Sequence, residues 1–84
     1  MIKMHGFIIV CSTNIHNFTD FTTLSNALAL FSSVINWSVD LSDSDKVLRI
    51  EASLDISSTL IIELKSLGIR CSIMGIFTNK LCNS

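Results

Sequence analysis

The stretch Ile35–Ser53 constrains the fold of this chain most, because it holds two alternating runs on either side of a polar turn. Apolar side chains recur at every second position in both runs, as they do on the buried face of a strand. The intervening residues 42–45 are serines and aspartates, whose short side chains favour turns. The pattern predicts an antiparallel hairpin with one buried face. The residues predicted on that face are Ile35, Trp37, Val39, Leu48, Ile50 and Ala52.

Two helical patterns flank this hairpin. Apolar residues recur at steps of three and four over residues 21–32 and again over 58–67, which predicts two amphipathic helices. Thr19 or Asp20 is the expected N-cap of the first helix, and Ser57 or Asp55 that of the second. Gly68 follows the second helix directly, where a left-handed residue is expected.

The first and last strands along the chain are predicted at Phe7–Thr13 and Ile69–Phe77. The first is apolar on both faces over Phe7–Cys11, which is typical of a central strand. The order βαββαβ predicts an α+β, ferredoxin-like sandwich, a four-stranded antiparallel sheet with strand order 4-1-3-2 and both helices on one face. We expect one domain over residues 1–84, with a core at about 5–77 and a flexible tail at 78–84. The predicted strands lie near 5–13, 34–41, 46–53 and 69–77.

The second face of such a sheet is open. The chain is 49% hydrophobic and only 15% charged, against a typical charged share of about 25%. An apolar open face predicts a protein partner, or a second copy of this chain in a homodimer. The residues predicted on that face are Ile8, Val10, Val47, Met74 and Ile76.

Three stretches of the chain carry a resemblance to a known family. They are the hairpin residues Trp37–Glu51, the stretch Ile61–Gly68 followed by Cys71, and Thr13-Asn14-Ile15. Together they resemble small bacterial heavy-metal-associated domains, the copper-chaperone-like ferredoxin folds. In that family a Cys-x-x-Cys pair in the first loop holds copper(I), zinc or cadmium. The matching positions here are Asn17 and Asp20. An amide and a carboxylate do not replace two thiolates for soft copper(I). The resemblance therefore implies the fold but argues against the usual metal activity.

Several function classes are disfavoured by the composition. The net charge is −1 without a basic cluster, which argues against nucleic-acid binding. The two histidines, His5 and His16, fall in no Ser/His/Asp order, so we expect no enzyme and assign no catalytic or cofactor-binding residue. The apolar run Phe7–Cys11 is too short for a signal peptide or a membrane span. We therefore expect a cytoplasmic protein without membrane partners.

His16, Asn17 and Asp20 are candidates for a metal site in the first loop. One histidine and one carboxylate are too few for zinc, which usually takes four ligands. The favoured interpretation is that Asp20 caps a helix and that His16 is solvated. We likewise read the aspartates at 40, 43 and 45 as a turn, because they lack the glycine and distal glutamate of a calcium loop. No metal ligand or cofactor is assigned.

The three cysteines are expected to be reduced in a cytosolic protein. Cys11 and Cys71 fall on neighbouring strands of the predicted sheet and point towards the helices. They could form a disulfide, but two buried free thiols are the favoured reading. Cys82 in the tail is the thiol expected to be exposed. Trp37 is read as a core residue and not as a ligand-stacking one.

Three functions remain open at this level. The first is a non-enzymatic interaction module that lacks the family's metal thiols and acts through protein contact. The second is a metal-binding or metal-chaperone protein with a non-standard site, completed in one version by a second subunit. The third is a small-ligand regulatory domain of similar βαββαβ order.

Overall fold

The computed structural model describes residues 5–80, and its elements follow the predicted order βαββαβ. The ferredoxin-like fold class is confirmed. Residues 78–80, predicted to begin the flexible tail, belong instead to the last strand and pair with residues 5–7 of the first. Residues 81–84, Cys82 among them, lie outside the described residues, as does the side chain of His5. The elements are β1 (His5–Thr13), α1 (Phe18–Ala29), β2 (Val34–Asp40), β3 (Val47–Ala52), α2 (Ser57–Ser66) and β4 (Cys71–Lys80).

β1 is a central strand of a four-stranded sheet. It pairs antiparallel with β3 on one side and with β4 on the other, and β2 pairs with β3. The order β2-β3-β1-β4 is the predicted order read from the opposite edge. One contiguous core joins the inner face of this sheet to both helices. The fully buried large side chains are Ile9, Cys11, Ile15, Leu24, Leu28, Leu48, Ile50, Leu60 and Leu64.

The hairpin packs as the alternation predicts, with one exception. Trp37 lies opposite Ile50 and packs against the core beneath α1, with its ring centroid 5.5 Å from that of Phe21. The register shifts between Val34 and Asn36, which leaves Ile35 as an extra residue. Ile35 is therefore 54% exposed, and its predicted place in the core is wrong. Val34 packs against the core instead.

α2 begins differently from the prediction and ends as predicted. Ser57 is the first helical residue and not its cap; the Asp55 carboxylate accepts its N–H at 3.0 Å. At the other end Gly68 has φ +85°, in the left-handed region. The N–H of Gly68 donates to the carbonyl oxygen of Lys65, and the N–H of Ile69 donates to the carbonyl oxygen of Leu64. This is a Schellman motif, and it turns the chain sharply into β4.

The turn between β2 and β3 is held by its own aspartates. Asp40 Oδ1 accepts from the Ser42 hydroxyl at 2.7 Å, and Asp43 Oδ1 accepts from Asp45 N at 2.8 Å. Asp40 Oδ1 also accepts from Ser42 N at 3.1 Å. The two bonds from Ser42 stabilise the charged carboxylate and lower the pKa of Asp40. The carboxylates of Asp40 and Asp43 each bond to a near neighbour, so the reading of this stretch as a turn accounts for the geometry. No helix in residues 5–80 is long and apolar enough to span a membrane.

The packing of α2 predicts a sharp contrast between two of its apolar residues. Leu60 is fully buried, whereas Ile62 on the same helix is 69% exposed. We expect Leu60→Ala to lower the free energy of unfolding by about 2–5 kcal/mol, because it leaves a cavity in the core. Ile62→Ala serves as the control and should stay within about 0.5 kcal/mol. Urea titration followed by circular dichroism measures both; equal losses would contradict the placement of α2.

Candidate functional site

The first loop is organised by Asn17. Its Oδ1 accepts the backbone N–H of Asp20 at 2.8 Å, which makes Asn17 the N-cap of α1. The predicted caps, Thr19 and Asp20, are wrong. The helix begins at Phe18, three residues before the apolar periodicity makes it visible in the sequence. An N-cap is set by backbone geometry and a short oxygen side chain, so the apolar stripe marks it only approximately.

His16 and Asp20 lie close together, as a metal site in the first loop would require. His16 Nδ1 lies 2.9 Å from Asn14 O and 3.4 Å from Asp20 Oδ2. Because a carbonyl oxygen only accepts, Nδ1 carries the ring proton in the neutral form. Asp20 Oδ2 also lies 3.5 Å from the His16 backbone N. Asp20 thus closes the loop on His16, and the amide oxygen of Asn17 is used by the helix.

The loop also presents an apolar surface that the sequence analysis did not identify. Phe18 is 82% exposed and lies beside Leu41 from the β2–β3 turn. Together with Phe21 and the loop residues they border an open cleft of about 420 Å³. The sequence signal that could have revealed this surface is the helix cap: with Asn17 as the cap, Phe18 becomes the first helical residue. We call this region the loop-end surface.

The open face of the sheet differs in composition from the prediction because β4 carries a bulge. Cys11 lies opposite Ile73, but Val10 lies opposite Gly75, so Met74 is an extra residue. Paired residues share a face, and each extra residue reverses the alternation beyond it. Ile76 is therefore opposite Ile9 on the helix side of the sheet, and its predicted place on the open face is wrong.

Phe77 takes the place that Ile76 was predicted to occupy. It lies opposite Ile8 on the open face, and its ring covers Gly75. A Cβ at Gly75 would come within 2.9 Å of the ring. Phe77 is 58% exposed and Met74 56%, whereas Ile8 is only 9% exposed. The open face thus has an apolar half over β1 and β4 and a polar half over β2 and β3. The polar half holds Asn36, Ser38, Asp40, Arg49 and Glu51. The predicted open-face residue Val47 also lies here, opposite Asp40.

Cys11 and Cys71 lie next to each other on the helix side of β1 and β4. Thr13 is opposite Cys71 and Cys11 is opposite Ile73, so the two cysteines are diagonal neighbours. Both are buried free thiols. The interaction between the two thiols, together with burial, raises the pKa of Cys11, and the same interaction lowers the pKa of Cys71.

One residue of the pair lies at the edge of the core. Cys71 is 8% exposed and borders an open cleft of about 490 Å³ at the end of α2, whereas Cys11 is fully buried. The cleft is shaped by the Schellman turn and by Asn14, whose Oδ1 accepts the N–H of Arg70 at 2.9 Å. The sequence predicted the proximity of the two cysteines but not the cleft. The remaining residues at the cleft are Ile61, Lys65, Gly68 and Ile69.

Two solved structures share this architecture. The copper(I)-loaded first domain of the human copper chaperone for SOD1, CCS, matches with a TM-score of 0.69 and 14% identity, over 86% of this chain and 97% of that one. The apo form of the HMA domain of a copper chaperone for superoxide dismutase matches with a TM-score of 0.71 and 15% identity, over 94% and 78%. The fold is that of a heavy-metal-associated domain. No protein-family model and no curated protein sequence matches this chain.

The heavy-metal-associated fold is thus confirmed, and the identities are low enough that it is the fold alone that is shared. The sequence contains no Cys-x-x-Cys, since its cysteines stand at positions 11, 71 and 82. Within residues 5–80, His, Cys, Asp and Glu side chains form no group of three or more suited to hold a metal ion. Within this heavy-metal-associated fold, the sites that remain are the open face, the loop-end surface and the cysteine pair.

The assignment of Asn17 as the cap predicts a specific stability pattern. Asn17→Ala should lower the free energy of unfolding by about 0.5–2 kcal/mol, because the N–H of Asp20 loses its acceptor. Thr19→Ala should stay within about 0.5 kcal/mol, and Asn17→Asp should retain the cap. Thermal unfolding of the three variants measures this; a larger loss in Thr19→Ala than in Asn17→Ala would contradict the assignment.

Proposed function

We propose that this chain is a non-enzymatic interaction module that binds a second copy of itself through the open sheet face. The observation that carries the proposal is the exposure of Met74 and Phe77 on a face that neither helix covers. Both side chains project from β4, an edge strand of the sheet. Large apolar side chains that cluster on one face are a common feature of association surfaces.

The charges on the open face favour a second copy as the partner. Arg49 and Glu51 lie two residues apart on β3, next to the apolar half. A two-fold axis places a surface against its own copy in reverse. Arg49 of one copy can then lie beside Glu51 of the other, so the face is complementary to itself. The net charge of −1 adds little repulsion between copies.

The structure also limits the strength of this contact. Ile8 is nearly buried within its own chain and Val10 is half-buried, so they add little new apolar area on association. A standard interface buries about 800 Å² on each partner, and association must offset the loss of translational and rotational freedom. We therefore expect a weak dimer in exchange with the monomer.

Sedimentation equilibrium at several concentrations tests this proposal with a matched pair of variants. The unmodified chain should show a concentration-dependent increase in weight-average mass. Met74→Glu should abolish this increase, because it buries a charge in the contact. Phe18→Glu, which places the same charge on an exposed apolar residue of the loop-end surface, should leave the increase unchanged.

Two outcomes would overturn the proposal. If the unmodified chain stays monomeric up to about millimolar concentration, where binding is worth only about 4 kcal/mol, the open face does not mediate self-association. If the dimer survives Met74→Glu and is lost in Phe18→Glu, the loop-end surface is the contact. A circular-dichroism spectrum of each variant confirms that it is folded.

A second function, metal binding at a non-standard site, is favoured by one observation, which is the adjacency of Cys11 and Cys71. It does not involve the first loop, where Asn17 serves as the helix cap and Asp20 bonds to His16.

A further inference from the structure

The cysteine pair presents two sulfur atoms at one point in the core. Cys11 and Cys71 are diagonal neighbours across β1 and β4, on the same side of the sheet. Both belong to the core beneath the helices, and each shifts the pKa of the other. A ligand that replaces the two thiol protons can therefore contact both sulfurs.

The chemistry of this pair selects a narrow class of ligand. Zinc usually takes four protein ligands or three and water, and the described residues form no group of that size. Soft thiolates prefer soft metals such as copper(I). A d¹⁰ monovalent ion of this kind is satisfied by two sulfur ligands. The surroundings are apolar, which excludes water and disfavours ions that keep a hydration shell.

The cleft supplies an entry. Cys71 borders it, whereas Cys11 is fully buried, so an ion reaches Cys71 first and Cys11 second. Lys65 and Arg70 also border this cleft.

We propose that Cys11 and Cys71 form a two-thiolate site for a soft monovalent cation, copper(I) in particular, reached through the cleft at the end of α2. Binding exchanges two protons for one ion: each S–H loses its proton to solvent, and two metal–sulfur bonds form. No electron is transferred. Affinity therefore rises with pH, because both thiols must lose a proton. The site lies on the helix side of the sheet, so it stands independently of self-association through the open face.

Competition for copper(I) tests the proposal. The reference protein carries Cys82→Ser, which leaves only the two thiols of the pair, and is kept reduced and anaerobic. Copper(I) is supplied as its complex with a coloured chelator, and its transfer to the protein is read from the loss of that colour. We expect one equivalent per chain. Cys11→Ser and Cys71→Ser should each weaken binding by about 100-fold or more, because one soft ligand is lost.

The matched control is the double variant Asn17→Ala/Asp20→Ala, which alters the first loop and leaves both cysteines in place. It should bind copper(I) as the reference does. A loss of binding in this variant, or equal binding in the reference and both cysteine variants, overturns the proposal. Binding that depends on Cys71 alone also overturns it, since the ion would then be shared between chains or held at the surface.

A second measurement does not depend on the folding of the serine variants. In the reference protein the Cys71 thiol should react with a small alkylating reagent faster than Cys11, because Cys71 borders the cleft and Cys11 is fully buried. One equivalent of copper(I) or silver(I) should protect both thiols together, as read by mass spectrometry after digestion. Protection of Cys71 without protection of Cys11 contradicts a shared site.

Discussion

The pairing of β1 on both of its edges is the constraint on which the rest of the structure depends. β3 and β4 each form an antiparallel ladder with β1, so every other element is positioned relative to this one strand. Its inward residues Ile9 and Cys11 are fully buried beneath the helices. With only one helical layer, the outward residues Ile8 and Val10 must be covered by neighbours within the sheet or by a partner.

The bulge at Met74 determines which side chains of β4 lie on the open face. One extra residue in β4 moves Phe77 to the open face and Ile76 to the helix side, and it leaves Met74 exposed between two ladder pairs. The ring of Phe77 can cover the sheet because Gly75 has no side chain there. A surface of this kind is smaller and more localised than a fully apolar sheet face. If the chain self-associates as proposed, a contact of this size is weak and reversible and not permanent.

The chain shares its fold with copper-chaperone domains, but its own first loop contains no cysteine. At the first loop Asn17 uses its side chain to cap α1, and Asp20 bonds to His16. The two adjacent sulfurs lie instead between β1 and the start of β4, where the Schellman turn after α2 delivers Cys71 to the edge of the core. A fold of this kind fixes where strands and helices lie, but it leaves the chemistry to the side chains placed on them.

The sequence by itself determined the order of elements, the strand order and the inner face of the hairpin, because these follow from periodicity and short connections. It also placed Trp37 in the core and brought Cys11 near Cys71. The register of β4, the exposure of Ile35 and the cap at Asn17 were decided only by the tertiary structure. A bulge inserts one residue without a clear sequence signal, and a helix start depends on backbone hydrogen bonds that an apolar pattern does not record. The cleft beside Cys71 likewise exists only once the loop at Asn14 and the turn at Gly68 meet in space.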